Sequence, residues 1–306
     1  MTFEILILGT SAAVQANGRH QSAQVLKLDN HYFLIDCGEG TQEQIALRKL
    51  NFNKISKIFI SHLHGDHFLG LFGFLSTMSL LGRSDKIDIY GPKGLREIIT
   101  TQLKYSQSYF SYPVEFIETT HKVKTIIFED TYIEVFSFPL DHSIACTGFL
   151  FKEKTKLRKL ISSKLPKNID FPKLRELKKG IDIELEDGTT LFAHEVSHPP
   201  QKSKSYAYCS DTAYNVQNIE YVKGVDILYH ESTFLSKHAD KAKNTRHSTA
   251  IEAATIASEA KVGKLLLGHF SARYSDIKEF EKEAQTIFEN SVAAIEGETY
   301  NVSNTL

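Results

Sequence analysis

The stretch SHLHGDHFLG, residues 61–70, places three histidines and one aspartate directly after the apolar run 58–60. In an extended turn that leaves a strand, His62 and His64 can converge on one ion while Asp66 and His67 face a second. Imidazole nitrogen and carboxylate oxygen are ligands that zinc accepts. The alternative is a solvated histidine-rich loop, but composition alone rarely produces the string HxHxDH. The stretch therefore predicts a metal site.

Three further candidate ligands come immediately after strand-like apolar runs. His142 lies in PLDHS, Asp211 in CSDT and His269 in LLLGH. Each of them alone could be an ordinary buried histidine or a turn-capping aspartate. Their shared placement at strand ends, where loops gather functional side chains, favours metal ligation.

Composition indicates a packed globular protein. At 306 residues the chain can form one large domain or two ordinary ones. Hydrophobic residues make up 42% and charged residues 24%, so disorder is not expected. The formal net charge of -1 means that the surface as a whole does not attract polyanions, although a local basic patch still can.

The spacing of the cysteines and the hydropathy of the chain indicate the cellular compartment in which the protein is expected. Cys37, Cys146 and Cys209 show no CxxC spacing, which suggests neither a disulfide framework nor a thiolate zinc site. The N-terminal residues lack the basic region of a signal peptide, so we expect a strand there, and no run approaches the length of a membrane span. A cytoplasmic protein with no membrane partner is expected.

Strand-like and helical patterns follow one another along the chain. Runs rich in β-branched or aromatic residues predict strands at 3–9, 24–38, 57–61, 86–92, 131–140, 189–196, 205–212, 225–232 and 264–269. Apolar residues at helical spacing predict helices at 40–50, 91–106, 248–260 and 275–290. Strands punctuated by helices along the whole chain predict a layered α/β fold.

Residues 152–179 interrupt this pattern with eleven basic residues against three acidic ones. Their apolar residues look too sparse for a core strand, so the segment predicts a basic arm inserted at about 151–180. The alternative is a solvated surface excursion, which is what charge runs usually form.

The string HEVSH, residues 194–198, matches the HExxH sequence of zinc proteases, in which one helix carries both histidines. Here turn and strand residues precede the string, and Pro199 and Pro200 follow at once, so a helix cannot continue through it. We therefore reject the protease hypothesis and expect His194 and His198 to be polar residues at the end of a strand.

Motifs along almost the whole chain resemble those of ribonuclease Z, the short form of the tRNA 3′-processing endonuclease in the metallo-β-lactamase superfamily. They are LGTSAAVQ, LIDCGEGTQ, SHLHGDHFLGL, PLDHSIACTGF, YCSDTAY, LYHEST, RHSTA and LLLGHFSARY. HxHxDH alone indicates only the superfamily, whereas GEGTQ, HEST, HST and HFSARY narrow the resemblance to the tRNA-processing branch. The resemblance implies one domain over residues 1–306, an αββα sandwich of two mixed β-sheets with helices on both outer surfaces.

The resemblance also implies roles for the matching residues. One zinc ion would be held by His62, His64 and His142. A second would be held by Asp66, His67 and His269, with Asp211 bridging both. Asp36 would orient ligands, and Glu231 and His247 would relay protons together with Asp66.

The activity implied by the resemblance is zinc-dependent cleavage of the 3′ trailer from precursor tRNA by activated water, which leaves a tRNA 3′-hydroxyl. Two Zn²⁺ per subunit, a homodimer and a tRNA rather than a DNA partner are expected, with the basic arm gripping the tRNA elbow. Where relatives usually carry Gly-Pro in the arm, this chain has Phe171 and Pro172. Alternatives are a dizinc small-molecule phosphodiesterase or arylsulfatase-like hydrolase, and an inactive RNA-binding superfamily member.

Overall fold

Residues 2–29 and 31–302 are described by a computed structural model. Their contacts divide the chain into two units. The larger unit is formed by Met1–Asp130, Glu134–Lys152 and Lys204–Leu306, and the smaller by Thr131–Ile133 and Glu153–Ser203. The smaller unit runs beyond the segment 151–180 that was expected to form an arm, and the single-domain assignment over residues 1–306 stays a prediction.

The first sheet of the larger unit has seven strands in the order β18-β1-β2-β3-β4-β5-β6. Its strands are β1 (Phe3–Gly9), β2 (Ala23–Leu28), β3 (His31–Cys37), β4 (Ile55–Phe59), β5 (Ile87–Gly91), β6 (Val114–Glu118) and β18 (Thr299–Asn301). Strands β18 to β3 pair antiparallel and β3 to β6 pair parallel, so the sheet is mixed.

The second sheet also has seven strands, in the order β17-β16-β15-β14-β9-β8-β7. Its strands are β7 (Thr125–Glu129), β8 (Ile133–Leu140), β9 (Cys146–Glu153), β14 (Ser205–Cys209), β15 (Ile227–Glu231), β16 (Lys264–Gly268) and β17 (Ser291–Ala293). Strands β14 to β17 pair parallel, and β9 pairs antiparallel to β14. Every residue of β15 is buried, as expected for a central strand covered on both faces.

Aromatic side chains fill the space between the two sheets. The ring of Phe59 on β4 lies 5.2 Å from that of Phe151 and 5.5 Å from that of Phe149, both on β9. Phe33 on β3 stacks on Phe151 at 6.1 Å. Such contacts join the inner faces of two packed sheets.

Helices cover the outer faces of both sheets. The helices of the larger unit are α1 (Thr41–Leu47), α2 (Gly65–Phe68), α3 (Leu71–Leu80), α4 (Leu95–Ser106), α6 (Gln217–Val222), α7 (Ala239–Thr245), α8 (Ala250–Glu259) and α9 (Lys278–Gln285). α3 and α4 bury apolar residues in the core that β1 to β5 line, and α8 and α9 do so in the core of the second sheet. α8 begins with a capping box of Thr249 and Glu252, and its small alanines allow it to lie close to the sheet. The predicted αββα sandwich is confirmed.

Parallel pairing brings several strand ends to one edge of each sheet, because parallel strands end on the same side. Asp36 lies near the end of β3, and residues 61–67 follow β4. Asp211 follows β14, Glu231 is the last residue of β15, and His269 follows β16. The strand ends therefore place the chemically active residues on two neighbouring edges.

The smaller unit has its own small core. It contains α5 (Phe171–Lys179) and the short strands β10 (Lys159–Leu160), β11 (Ile183–Glu184), β12 (Thr190–Leu191) and β13 (Ser197–His198). Buried Leu177, Ile183, Ala193 and Val196 pack together there. The segment is thus a folded unit, because apolar residues that are widely spaced in the sequence pack together in it.

Some expected elements differ from those in the structure. The predicted strand 24–38 is a hairpin of β2 and β3, and Asn30 within it lies outside the described residues. Of the predicted strand 189–196, only β12 is extended, since residues 193–195 form a turn. No helix runs through 194–198, which confirms that HEVSH is not a helical protease motif.

No helix within the described ranges 2–29 and 31–302 combines the length and the apolar character that crossing a bilayer requires.

The core of the smaller unit makes a stability prediction. Leu177→Ala should destabilise this unit by about 2–5 kcal/mol, because it leaves a cavity among packed side chains. Hydrogen exchange of amides between residues 153 and 203 measures the loss. Leu157→Ala is the matched control, since Leu157 is 60% exposed and its truncation should change stability by less than about 0.5 kcal/mol. Equal losses in the two variants would contradict this account of the core.

Candidate metal centre

The loop after β4 directs four polar side chains toward one point. Its extended residues 61–64 lead into the short helix α2, which begins at Gly65 and carries Asp66 and His67 in its single turn. His62 and His67 are fully buried, and Asp66 is nearly so. Polar groups are buried in this way only when they have partners, so the surroundings of each decide what the site can do.

His62, His64 and His142 form the three-histidine group. His64 Nδ1 lies 3.2 Å from His62 Nε2 and 3.1 Å from His142 Nε2. Asp211 Oδ2 lies 3.6 Å from His62 Nε2 and 3.7 Å from His142 Nε2. The structure thus brings together residues from three distant segments with their lone pairs turned inward.

Asp66, His67 and His269 form the mixed group. His269 Nε2 lies 3.2 Å from Asp66 Oδ2 and 3.3 Å from His67 Nε2. Asp211 Oδ1 lies 3.4 Å from His67 Nε2 and 3.3 Å from His269 Nε2. The two oxygens of Asp211 therefore face different groups, so each oxygen could serve as a donor for one of them.

Hydrogen bonds on the far side of four imidazoles fix which nitrogen faces the centre. His67 Nδ1 donates to Asp36 Oδ2 at 2.8 Å and His142 Nδ1 donates to the Arg246 carbonyl at 2.9 Å. His62 Nδ1 contacts Ser61 Oγ at 3.0 Å, and His269 Nδ1 contacts Thr233 Oγ1 at 2.9 Å. A hydrogen on Nδ1 of each ring leaves its Nε2 as the inward donor atom when a cation is bound, as in metal-binding histidines.

The carboxylate of Asp36 holds the loop after β4 in place through hydrogen bonds to Ser61 and His67. Its carboxylate accepts hydrogen bonds from the Ser61 amide at 2.8 Å, the Ser61 hydroxyl at 2.9 Å and the Tyr208 hydroxyl at 2.7 Å, besides the bond from His67. Its φ of 54° lies in the left-handed region, as does that of His269 at 58°. Residues other than glycine rarely adopt this backbone conformation. Backbone strain of this kind concentrates at functional sites.

The charge balance of the centre also fits cations. Burial opposes a charge on His67, but Asp211, Asp66 and Asp36 raise its pKa well above the usual range. Burial likewise raises the pKa of Asp211, yet His269 and His67 lower it well below that of an ordinary aspartate. Buried carboxylates thus attract positive charge into the site. Asp211 Oδ1 is buried without a hydrogen-bond partner among the described residues, which leaves it free to ligate. The residues present fit divalent metal.

Glu231 and His247 form a hydrogen-bonded pair beside the centre. His247 Nδ1 donates to Glu231 Oε1 at 2.9 Å, and the amides of Thr212 and Ser248 donate to the same oxygen at 3.1 and 2.9 Å. Burial lowers the pKa of His247, but the carboxylate of Glu231 outweighs it and raises the pKa to about 9. His247 is therefore held as an imidazolium at neutral pH.

An open cavity of about 500 Å³ gives access to these residues. Its walls include the polar side chains of His64, Asp66, Asp211, His247 and His269. Apolar residues form most of the remaining wall. The cavity is concave and mostly apolar with a few converging polar groups, as ligand sites usually are.

The structure brings together every site residue that the sequence nominated, while their roles as ligands and proton carriers stay predictions. Sequence reasoning missed contributors that act through the main chain or a hydroxyl. The amide of Ala13 donates to Asp66 Oδ2 at 2.7 Å, and the carbonyl of Arg246 orients His142. Ala13, Thr233 and Arg246 all lie inside quoted motifs, but only Thr233, in HEST, contributes through its side chain and could have been noticed there.

Comparisons with known proteins agree with this fold. A family model described as Anti-Pycsar protein Apyc1 matches residues 3–159. The metallo-beta-lactamase fold protein YhfI from Bacillus subtilis superposes with a TM-score of 0.69 at 18% identity, over 98% of this chain and 100% of that one. The fold and the paired histidine–aspartate groups define a metallo-β-lactamase-fold protein.

Closer relatives identify the branch. The crystal structure of human tRNase Z, short form, has a TM-score of 0.70 and 28% sequence identity, over 98% of this chain and 99% of that one. Ribonuclease Z of Cytophaga hutchinsonii is 50% identical over 305 residues, which cover 99% of this chain and 97% of that protein. The chain belongs to the ribonuclease Z family.

The contacts of Asp36 make a prediction about metal affinity. Asp36→Asn should weaken binding of Zn²⁺ or Co²⁺ about 10–100-fold, because an amide cannot accept from every donor that the carboxylate now serves. Competition with a chromophoric chelator measures the affinity. Asp88→Asn is the control, since Asp88 forms ion pairs with Lys57 and Lys86 instead. Unchanged affinity in Asp36→Asn would contradict the supporting role of Asp36.

Proposed function

We propose that this protein is a metal-dependent endoribonuclease that removes the 3′ trailer from precursor tRNA and leaves a 3′-hydroxyl on the tRNA. The observation that carries the proposal is the division of Asp211 between the three-histidine and mixed groups at the base of an open cavity. Membership of the ribonuclease Z family and similarity to human tRNase Z support tRNA as the substrate class.

The proposed cofactor is a pair of Zn²⁺ ions per chain. His62, His64 and His142 would hold one ion, Asp66, His67 and His269 the other, and Asp211 both. Nitrogen and carboxylate oxygen are donors that zinc binds readily. A pair of such ions supplies Lewis acidity that neutralises phosphodiester charge and makes water nucleophilic near neutral pH.

The protein's own residues would then manage protons and orientation. Asp66 Oδ2, fixed by the Ala13 amide, is placed to accept or orient a proton of the attacking water. His247 lines the cavity, and because Glu231 holds its Nδ1, the other ring nitrogen remains for the substrate. With a pKa of about 9 it is charged at neutral pH and can protonate the departing 3′-oxygen or contact the scissile phosphate.

Recognition of tRNA is assigned to the smaller unit. Its residues 153–179 carry ten basic residues against three acidic ones, although the whole chain has a formal net charge of -1. Lys167, Arg175 and Lys178 of this segment are exposed. Lysine and arginine contacts to phosphate give affinity without sequence readout. Phe171 and Pro172 lie in the first turn of α5, where Asp170 caps the helix by accepting from the Lys173 amide at 3.0 Å. Proline is well suited to that position, so the replacement of Gly-Pro is compatible with a folded segment.

The proposed assembly is a homodimer in the cytoplasm. Apolar side chains of the larger unit that remain exposed, such as Leu80 and Leu81 at the end of α3 and Tyr105 on α4, would be covered by a second subunit. Three buried cysteines with free thiols suit a reducing compartment.

Cleavage of a defined precursor tRNA tests the proposed function. The metal-loaded protein should cut at one position next to the mature 3′ end, and His247→Ala should lower kcat about 10²–10⁴-fold. A sequencing gel maps the cut, and His121→Ala, an exposed histidine, is the matched control. Hydrolysis of a small phosphodiester without tRNA cleavage would instead favour a small-molecule phosphodiesterase, and no hydrolysis of either would favour an inactive RNA-binding protein.

The role of the smaller unit makes a separate prediction. Lys167→Gln, Arg175→Gln and Lys178→Gln together should raise KM for precursor tRNA while sparing hydrolysis of a small phosphodiester. The salt dependence of tRNA binding should fall by about one unit of log–log slope for each phosphate that the variant no longer neutralises. The charge-conserving combination Lys167→Arg, Arg175→Lys and Lys178→Arg should stay close to wild type. Equal impairment on both substrates would contradict an electrostatic role confined to tRNA.

A further inference from the structure

The hydroxyl of Thr233 lies between the mixed group and the Glu231–His247 pair. Thr233 Oγ1 is 2.8 Å from Glu231 Oε2, 2.9 Å from His269 Nδ1 and 3.2 Å from His247 Nδ1. The residue is 4% exposed. Its amide donates to Glu231 Oε2 at 2.9 Å, and its carbonyl accepts from the Ser271 amide at 3.2 Å, so the main chain holds the hydroxyl in place.

Counting protons assigns a direction to each of these contacts. A threonine hydroxyl has one hydrogen to donate and two lone pairs to accept. Glu231 accepts amide hydrogens at both oxygens and the imidazole hydrogen of His247 at Oε1, as an ionised carboxylate does, so the hydroxyl hydrogen goes to Glu231 Oε2. The lone pairs of Thr233 then accept from His269, whose Nδ1 must carry the hydrogen. A hydrogen on Nδ1 leaves Nε2 of His269, which faces Asp66 and Asp211, as the nitrogen that would bind a metal ion.

Neighbouring hydroxyls of the same motifs do not share this arrangement. Ser232 Oγ donates to the Gly268 carbonyl at 3.2 Å, Ser248 Oγ to the Thr212 carbonyl at 2.7 Å, and Thr212 Oγ1 to the Ala213 carbonyl at 2.9 Å. These three hydroxyls stabilise the main chain. Thr233 differs because its hydroxyl contacts ionisable side chains on both sides.

We propose that Thr233 is a positioning residue whose hydroxyl couples a metal ligand, His269, to the proton-carrying pair Glu231–His247. It fixes the tautomer and ring orientation of His269 and at the same time supplies one of the hydrogen bonds that orient the carboxylate of Glu231. The inference rests on the proposed function for its catalytic consequence, but its structural part concerns metal binding alone.

Removing the hydroxyl while keeping the side-chain shape separates these roles from packing. In Thr233→Val the Nδ1–H of buried His269 loses its acceptor and Glu231 Oε2 loses a donor, and unsatisfied buried polar groups are costly. The ring of His269 can then adopt other orientations, as when any outer hydrogen bond of a metal ligand is removed. Thr233→Ser keeps the hydroxyl and should keep the arrangement.

The experiment compares Thr233→Val, Thr233→Ser and wild type by chelator competition with Co²⁺ and by NMR of the imidazole N–H groups of the Zn²⁺-loaded protein. We expect Thr233→Val to bind metal about 10–100-fold more weakly and to lose the slowly exchanging Nδ1–H signal of His269. Thr233→Ser should match wild type in both measurements. With precursor tRNA, Thr233→Val at saturating metal should lower kcat and leave KM unchanged, and serine should restore kcat.

Thr119→Val is the matched control, because Thr119 is 9% exposed and its hydroxyl has no hydrogen-bond partner among the described residues. It should behave as wild type. If Thr233→Val fails to fold, Thr233→Ala tests the same loss of hydroxyl without the packing of valine. Wild-type affinity and an intact Nδ1–H signal in the variants without a hydroxyl would overturn the proposal, as would a serine variant as impaired as valine. These readouts need no tRNA, so a failure of the proposed function is seen separately.

Discussion

The two carboxylate oxygens of Asp211 must each face a different set of nitrogens, and the surrounding structure satisfies that requirement. Asp211 follows β14, which lies beside β9 and β15 in the second sheet. The three-histidine group draws two of its members from the loop after β4 of the first sheet. The sandwich aligns these two edges and so places one side chain between both groups. The aromatic packing of Phe33, Phe59 and Phe151 between the sheets maintains that alignment.

Burial makes this concentration of charge both costly and effective. Ionised groups away from water need partners, and here carboxylates and imidazoles face one another at short distances. Burial lowers the screening by water and so strengthens the electrostatic interactions that a bound substrate or ion would have with these groups. Hydrogen bonds to Asp36, the Thr233 hydroxyl and the Arg246 carbonyl orient three imidazole rings so that their Nε2 atoms face the centre. These rings belong to His67, His269 and His142. The left-handed backbone of Asp36 and His269 shows that the surrounding structure holds these residues in a conformation they would not adopt alone.

Most of the larger unit was predictable because its strands are continuous apolar runs that end in recognisable polar residues. α3 was missed because Phe72 and the exposed Leu80 obscure its apolar stripe. The small core of Leu177, Ile183, Ala193 and Val196 was missed for a different reason. Its members are spread over residues 177–196, and only Leu177 lies in the basic segment 152–179. No short window of sequence contains enough of them to show a pattern. The predicted strand 189–196 failed because its apolar residues enter that core from a turn.

The sequence by itself determined the donor set: a clustered HxHxDH string, and single histidines and aspartates at the ends of apolar strands. These are local properties, since strand propensity and the residue after a strand can be read within a few positions. Tertiary structure alone decided which donors meet, which oxygen of Asp211 faces which group, and which nitrogen of each histidine is free. Those outcomes depend on sheet pairing and on hydrogen bonds between residues far apart in the sequence, such as Tyr208 and Asp36, which are 172 positions apart. No local pattern encodes them, because they exist only once the two sheets have packed.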